Sequence, residues 1–167
     1  MSAAFQVVLE WGVRGLEATA AHVTIVAAAV PSIRADAIVA LAGERAAARS
    51  GEGTAGIVLR ADLGTAVDAA RAAYEAQLAL AERASIAIIA VGGEWPSEES
   101  SGSASGGRDG VLRPMAGDEL VAGAVVDALC EFGIDFHTPA CAIAAAAYAT
   151  LRGAATSIVR AEAASRP

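Results

Sequence analysis

Ser85 to Val91 reads SIAIIAV, and His22 to Val30 reads HVTIVAAAV. Both runs are apolar almost throughout, rich in β-branched residues and of strand length. A strand with one wet face alternates apolar and polar residues. A run without that alternation suits a strand buried on both faces, as in a parallel sheet covered by helices. Phe5 to Leu9 (FQVVL) and Gly56 to Arg60 (GIVLR) read as two further strands. Helical patterns lie between them. One starts at Pro31-Ser32, with Ser32 as N-cap, and runs through IRADAIVALAGERAAAR to about Arg49. Another runs from Thr65 to about Arg83, with Val67, Ala70, Tyr74, Leu78 and Ala81 as its apolar stripe. Strand, helix, strand, helix is the pattern of an α/β fold: three layers, a mainly parallel sheet flanked by helices.

Beyond the last strand the texture changes. Residues 92–110 are rich in glycine and serine and read as a flexible, solvated loop. A helix follows from about Met115 to Phe132, with Leu120, Val121, Val125, Ala128, Leu129 and Phe132 on its apolar side. Thr138-Pro139 opens another, which runs to about Leu151. The tail, residues 152–167, reads as weakly helical and frayed. The whole of 1–167 is expected to form one domain.

The 167 residues include 45 alanines and 17 glycines but no lysine or asparagine; all twelve basic residues are arginine. Hydrophobic residues make up 55%, and the mean hydropathy is +0.49, which argues against intrinsic disorder. The core should be thin, because each alanine buries little area. The net charge is −7 and no basic run exists, so a nucleic-acid partner is not expected. Nor is a membrane: the longest apolar candidate, Ala18 to Ile33, is interrupted by His22 and Pro31. No leader is legible at Met1 to Phe5, so the expected location is the cytoplasm. Alanine-lined helices pack closely and leave a homo-oligomer open.

Ligands of open parallel sheets bind beyond the carboxyl ends of the strands. Four places qualify: Glu10 to Gly12, Ala28 to Ser32, Asp62 to Thr65, and Gly92 to Trp95. Gly64 and Thr65 begin a helix, where amides and a hydroxyl could receive phosphate; they equally make a turn and an N-cap. Glu44-Arg45 is an acid–base pair that could engage an anion or a metal, or simply line a solvated face. Glu94 sits where ligands usually lie, or in an ordinary turn. Arg113 and Asp118 flank a helix start, where Asp118 also complements the helix dipole. Cys130, His137 and Cys141 are close in sequence, but without a paired C-x-x-C they read as packing residues rather than zinc ligands.

Several blocks, in order, resemble the 2-phosphosulfolactate phosphatase family. They are Phe5 to Leu16 (FQVVLEWGVRGL), Leu41-Ala-Gly-Glu-Arg45, Gly56 to Thr65 (GIVLRADLGT), Ile86 to Pro96 (IAIIAVGGEWP), Leu112-Arg-Pro114, and Asp118 to Leu129 (DELVAGAVVDAL). The resemblance implies a magnesium-dependent phosphatase that hydrolyses 2-phosphosulfolactate, a small phosphorylated acid, to sulfolactate and phosphate. In methanogens this is a step in coenzyme M biosynthesis. It further implies Glu44, Arg45 and Asp118 as catalytic residues, Gly64, Thr65 and Arg113 as phosphate-binding residues, and Glu94 and Asp118 as ligands of Mg2+. The chain is shorter than is usual in the family, lacks the arginine expected after Glu94, and departs from the pattern in three further places. Ala27 to Ile33 lacks the family's acid, Leu63 replaces an asparagine, and Gly117 replaces the glutamate before Asp118. These departures imply the alternative, a catalytically inactive member acting as a small-anion-binding or assembly module.

Overall fold

The computed structural model describes residues 5–50, 56–80, 83–95 and 111–164. The elements are β1 (Val7–Trp11), α1 (Gly12–Ala18), β2 (Val23–Ala27), α2 (Ile33–Ser50), β3 (Ile57–Ala61), α3 (Ala66–Leu80), β4 (Ile86–Ala90), β5 (Gly93–Glu94), β6 (Leu112–Arg113), α4 (Ala116–Glu131), α5 (Pro139–Leu151) and α6 (Ala155–Ala164). The fold is the expected three-layer α/β. Four parallel strands stand in the order β1-β4-β2-β3, and β5 and β6 form a small antiparallel ribbon.

The two runs that decide the fold are the two central strands. Every residue of β2 and β4 is buried, as a strand covered on both faces must be. Leu9, Ile25 and Ile88 point into a core shared with α3 and α4, whereas Val26, Ala87 and Ile89 point into one shared with α1 and α2. The chain moves outward from β1 to β3 and then returns to insert β4 between β1 and β2. That reversal puts α3 on the opposite face from α1 and α2, as right-handed crossovers require.

The structure departs from the sequence reading at several points. The apolar run His22 to Val30 is strand only over Val23–Ala27; beyond it the chain leaves the sheet to form a loop. A short helix, α1, stands where only a strand end was expected. The buried stripe of α3 is Ala66, Ala69, Ala70, Ala73 and Ala76, while Val67 is 50% exposed and Leu78 60%. α3 contacts both β2 and β3 and the neighbouring α4, so small side chains face inward and the larger ones are turned out. Most of the tail is not frayed: α6 packs on α4. Of the glycine- and serine-rich stretch, only Gly92 to Trp95 is among the described residues, and it contains β5; the rest lies outside them. No single described helix is long and apolar enough to cross a membrane.

α4 and α5 are in contact at Gly123. A Cβ there would fall on the Ala144 carbonyl group and lie 2.9 Å from the Tyr148 Cβ. Neither neighbour is the free end of a flexible chain, so the helices would have to separate. Gly123→Ala should therefore lower stability by about 1–3 kcal/mol, the usual cost of overpacking. Gly43→Ala, on α2 with nothing within 4 Å of the new methyl, should raise it by up to ~1 kcal/mol. Urea denaturation of the two variants checks both signs.

Candidate functional site

The carboxyl end of the sheet is built around Asp118. This residue lies in the first turn of α4 and is 0% exposed. Its Oδ1 accepts the Ala29 N–H at 2.7 Å, and its Oδ2 accepts the Gly92 N–H at 2.9 Å. Ala29 follows β2 and Gly92 follows β4, two adjacent strands. One carboxylate thus ties together the loops of the two central strands. Gly92 must be glycine, with φ +68° and a hypothetical Cβ only 2.8 Å from Leu112 Cδ1.

A second carboxylate, Asp62, closes the turn after β3. Its Oδ1 accepts the N–H of Gly64 at 2.8 Å, the N–H of Thr65 at 2.9 Å and the Thr65 hydroxyl at 3.0 Å. Thr65 Oγ1 in turn accepts the Asp62 N–H at 2.9 Å. The glycine and threonine that the resemblance assigns to phosphate are therefore at the right end of the sheet, but their amides hold Asp62.

A third carboxylate comes from α6. Glu162 accepts the N–H of Ala116 on Oε1 at 2.9 Å and the N–H of Gly117 on Oε2 at 2.8 Å. This is where α4 presents its positive dipole end. Gly117 has no room for a side chain: a Cβ would meet Glu162 Oε2 at 2.5 Å and Ala29 Cβ at 2.9 Å. Glu162 thus brings a carboxylate from α6 to the two residues just before Asp118. Sequence reasoning missed Glu162 because it lies in the stretch read as a frayed tail.

Glu94, at the end of β5, forms an ion pair with Arg34, whose Nε donates to the Val91 carbonyl at 3.3 Å. Arg113 is exposed, and its guanidinium lies 4.8 Å from the centre of the Trp95 ring, an arrangement for a cation–π contact. Glu94, Arg113, Gly64, Thr65 and Asp118 therefore share the carboxyl end. Glu44 and Arg45 do not. α2 starts at that end with Ile33 and runs back, so Glu44 lies about 16 Å further along the axis at 1.5 Å per residue. Glu44 is exposed there, and Arg45 Nη2 donates to the Glu17 carbonyl at 3.1 Å, by the last turn of α1. A catalytic group of Glu44, Arg45 and Asp118 is not assembled.

The residues present do not fit a magnesium ion. Both oxygens of Asp118 are engaged by amides in a fully buried setting, and Glu94 is engaged by Arg34. Among the described residues no group of three or more histidine, cysteine, aspartate or glutamate side chains is placed to hold a metal. Of the two cysteines read as packing groups, Cys141 is one, whereas Cys130 is exposed. Cys141 is buried against the Val7 carbonyl, and burial pushes its thiol up. Burial of the sulfur also raises Cys130, and the nearby Asp127 and Asp135 charges push the same way. At the other end of the sheet, His22 Nδ1 accepts the Ser85 N–H at 3.1 Å and lies 2.7 Å from the Ser85 hydroxyl, clamping the starts of β2 and β4.

Comparison of the chain with family models, with curated proteins and with solved structures finds no match.

Asp118→Asn keeps the shape but turns an amide NH2 toward a backbone N–H, leaving a buried donor unsatisfied. It should cost about 3 kcal/mol, against ~1 kcal/mol for removing the Asp62 cap by Asp62→Ala. Thermal denaturation read by circular dichroism gives the ranking, and equal losses would contradict the central role of Asp118. Cys130, although at the surface, should react with iodoacetamide more slowly at pH 8 than an unhindered thiol. Its rate should still be rising above pH 9, because the reactive thiolate forms late.

Proposed function

We propose that this chain is a catalytically inactive relative of the 2-phosphosulfolactate phosphatases, acting as an assembly module rather than turning over a phosphorylated acid. The observation that carries this reading is the occupancy of the backbone amides at the carboxyl end of the sheet. Six of them (Gly64, Thr65, Ala29, Gly92, Ala116 and Gly117) already donate to three carboxylates of the chain itself. Phosphoryl transfer depends on donors held open for the charge that develops in the transition state. Here those donors are saturated by internal anions. An entering phosphate would have to displace a carboxylate and would meet its repulsion.

The exposed cation Arg113 and the Arg34–Glu94 pair could greet an anion at the rim, but neither supplies an attacking group. The phosphatase reading implied by the family blocks would need Asp118 or Glu94 released to a metal, and Arg45 brought from the far end of α2.

The test is phosphate release from 2-phosphosulfolactate in the presence of magnesium, together with melting curves with and without the ion. The expected result is no release above the buffer rate and an unchanged Tm. Turnover that disappears in Glu94→Gln, a surface substitution compatible with folding, would overturn the proposal and restore the metal-dependent phosphatase.

A further inference from the structure

The two edges of the sheet are treated differently. The β1 edge is paired at its start. Gln6 and Val7 donate their N–H groups to the Phe136 carbonyl at 2.9 and 3.1 Å, and Thr138 N–H donates to the Val7 carbonyl at 3.0 Å. His137 makes a parallel bridge to Val7. At the other edge, β3 has a strand neighbour on one side only among the described residues.

The register defines what that open side offers. Ile57 N–H donates to the His22 carbonyl, and the Ala61 carbonyl accepts the Ala28 N–H. In a parallel ladder, alternate residues turn to the same side, so Ile57, Leu59 and Ala61 bond to β2. Val58 and Arg60 turn their N–H and C=O outward. β3 is short but has no proline, no lysine and no bulge to blunt the edge. Its one charge, Arg60, is tied to Asp36 of α2 at 2.8 Å. Ile57 is 39% exposed, although β3 is apolar apart from Arg60.

We propose that the β3 edge is the interface with a second copy of this chain, joined antiparallel about a two-fold axis through Leu59 into one eight-stranded sheet. In the monomer these edge groups bond to water; the protein element that matches their spacing is another extended strand, and a two-fold pair of parallel-sheet edges meets antiparallel. The axis position follows from full overlap of the five residues of β3, together with charge. Centred on Leu59, Val58 faces Arg60 of the other copy, twice, and both outward residues of each chain form hydrogen-bonded pairs. Ile57 then faces Ala61, and Leu59 faces Leu59, so the other face is wholly apolar. Shifting the axis to Arg60 would set two guanidinium groups directly opposite, which is unfavourable. Each Arg60 also keeps its own Asp36, so the edge brings no unpaired charge to the contact.

A five-residue strand pair buries less than the ~1,200 Å² of stable complexes, so the dimer is reversible and concentration-dependent. This inference deepens the assembly reading by naming its surface and partner, yet the two fail separately. Phosphate turnover would remove the former and leave this one standing; a monomer would do the reverse.

Sedimentation equilibrium over roughly 1–500 μM, the range of weak association, is expected to show monomer and dimer. Val58→Pro removes an outward N–H without touching the β2 ladder and should leave a folded monomer by circular dichroism. A second measurement does not depend on that variant folding. In a Cys130→Ser background, Leu59→Cys should form a disulfide-linked dimer under mild oxidation, because facing residues in a non-hydrogen-bonded pair lie about 4.5 Å apart at Cα. Ile57→Cys should not, since its copies stand four residues out of register. A chain that stays monomeric throughout, or a dimer that survives Val58→Pro and cross-links no better at 59 than at 57, would overturn the proposal. The latter result would move the interface elsewhere, for example to the charge-free outer face of α5.

Discussion

A fully buried carboxylate holds this molecule's sheet to its loops. Asp118 cannot face water, and moving an unpaired carboxylate into such a place would be prohibitive. It is tolerated because two amides, Ala29 and Gly92, reach it from the ends of neighbouring strands. The dependence is mutual. Those loops leave the sheet just where β2 and β4 run out of ladder partners, and they need an acceptor there. Gly92 takes a left-handed conformation and Gly117 gives up its side chain, both within the crowded contacts around this group.

The same device is used three times. Asp62 serves the start of α3, and Glu162 the start of α4. A parallel α/β sheet gathers helix N-termini and loop amides at one end, which is why this end so often binds anions. Here the excess of donors is met from within by acidic side chains. The net charge of −7 says that acids are abundant. Their placement says what some of them do.

The layer architecture was readable because β2 and β4 are unbroken apolar runs, a pattern that only double-sided burial explains. The candidate site was readable in part. The end-of-strand rule drew attention to Gly64, Thr65 and Glu94, and the helix-start position to Asp118; all four lie at the carboxyl end. The rule could not tell an amide awaiting a ligand from one already satisfied, since Asp62 is two residues from Gly64 in either case. Glu44 and Arg45 were misplaced for a different reason. A motif match carries no information on helix direction, and α2 carries them to the other end. Helical spacing of apolar residues places Ala70 of α3 inward, as observed, but not Val67 and Leu78, and Ala81 lies outside the described residues. Between a sheet and a neighbouring helix, closeness of approach favoured alanine over Val67 and Leu78. Glu162 left no local signal at all, because its partners are 45 and 46 residues earlier.

That last separation has a bearing on how the chain is made. During synthesis Ala116 and Gly117 are joined to the chain 46 and 45 residues before Glu162. Until α6 forms, the amides of Ala116 and Gly117 lack their acceptor, although Asp118 can already engage the loops. The joining of strands by Asp118 does not involve α6, whereas the sealing of α4 by Glu162 does. Until Glu162 is in place, water or any passing anion can occupy a position that the finished protein keeps for itself.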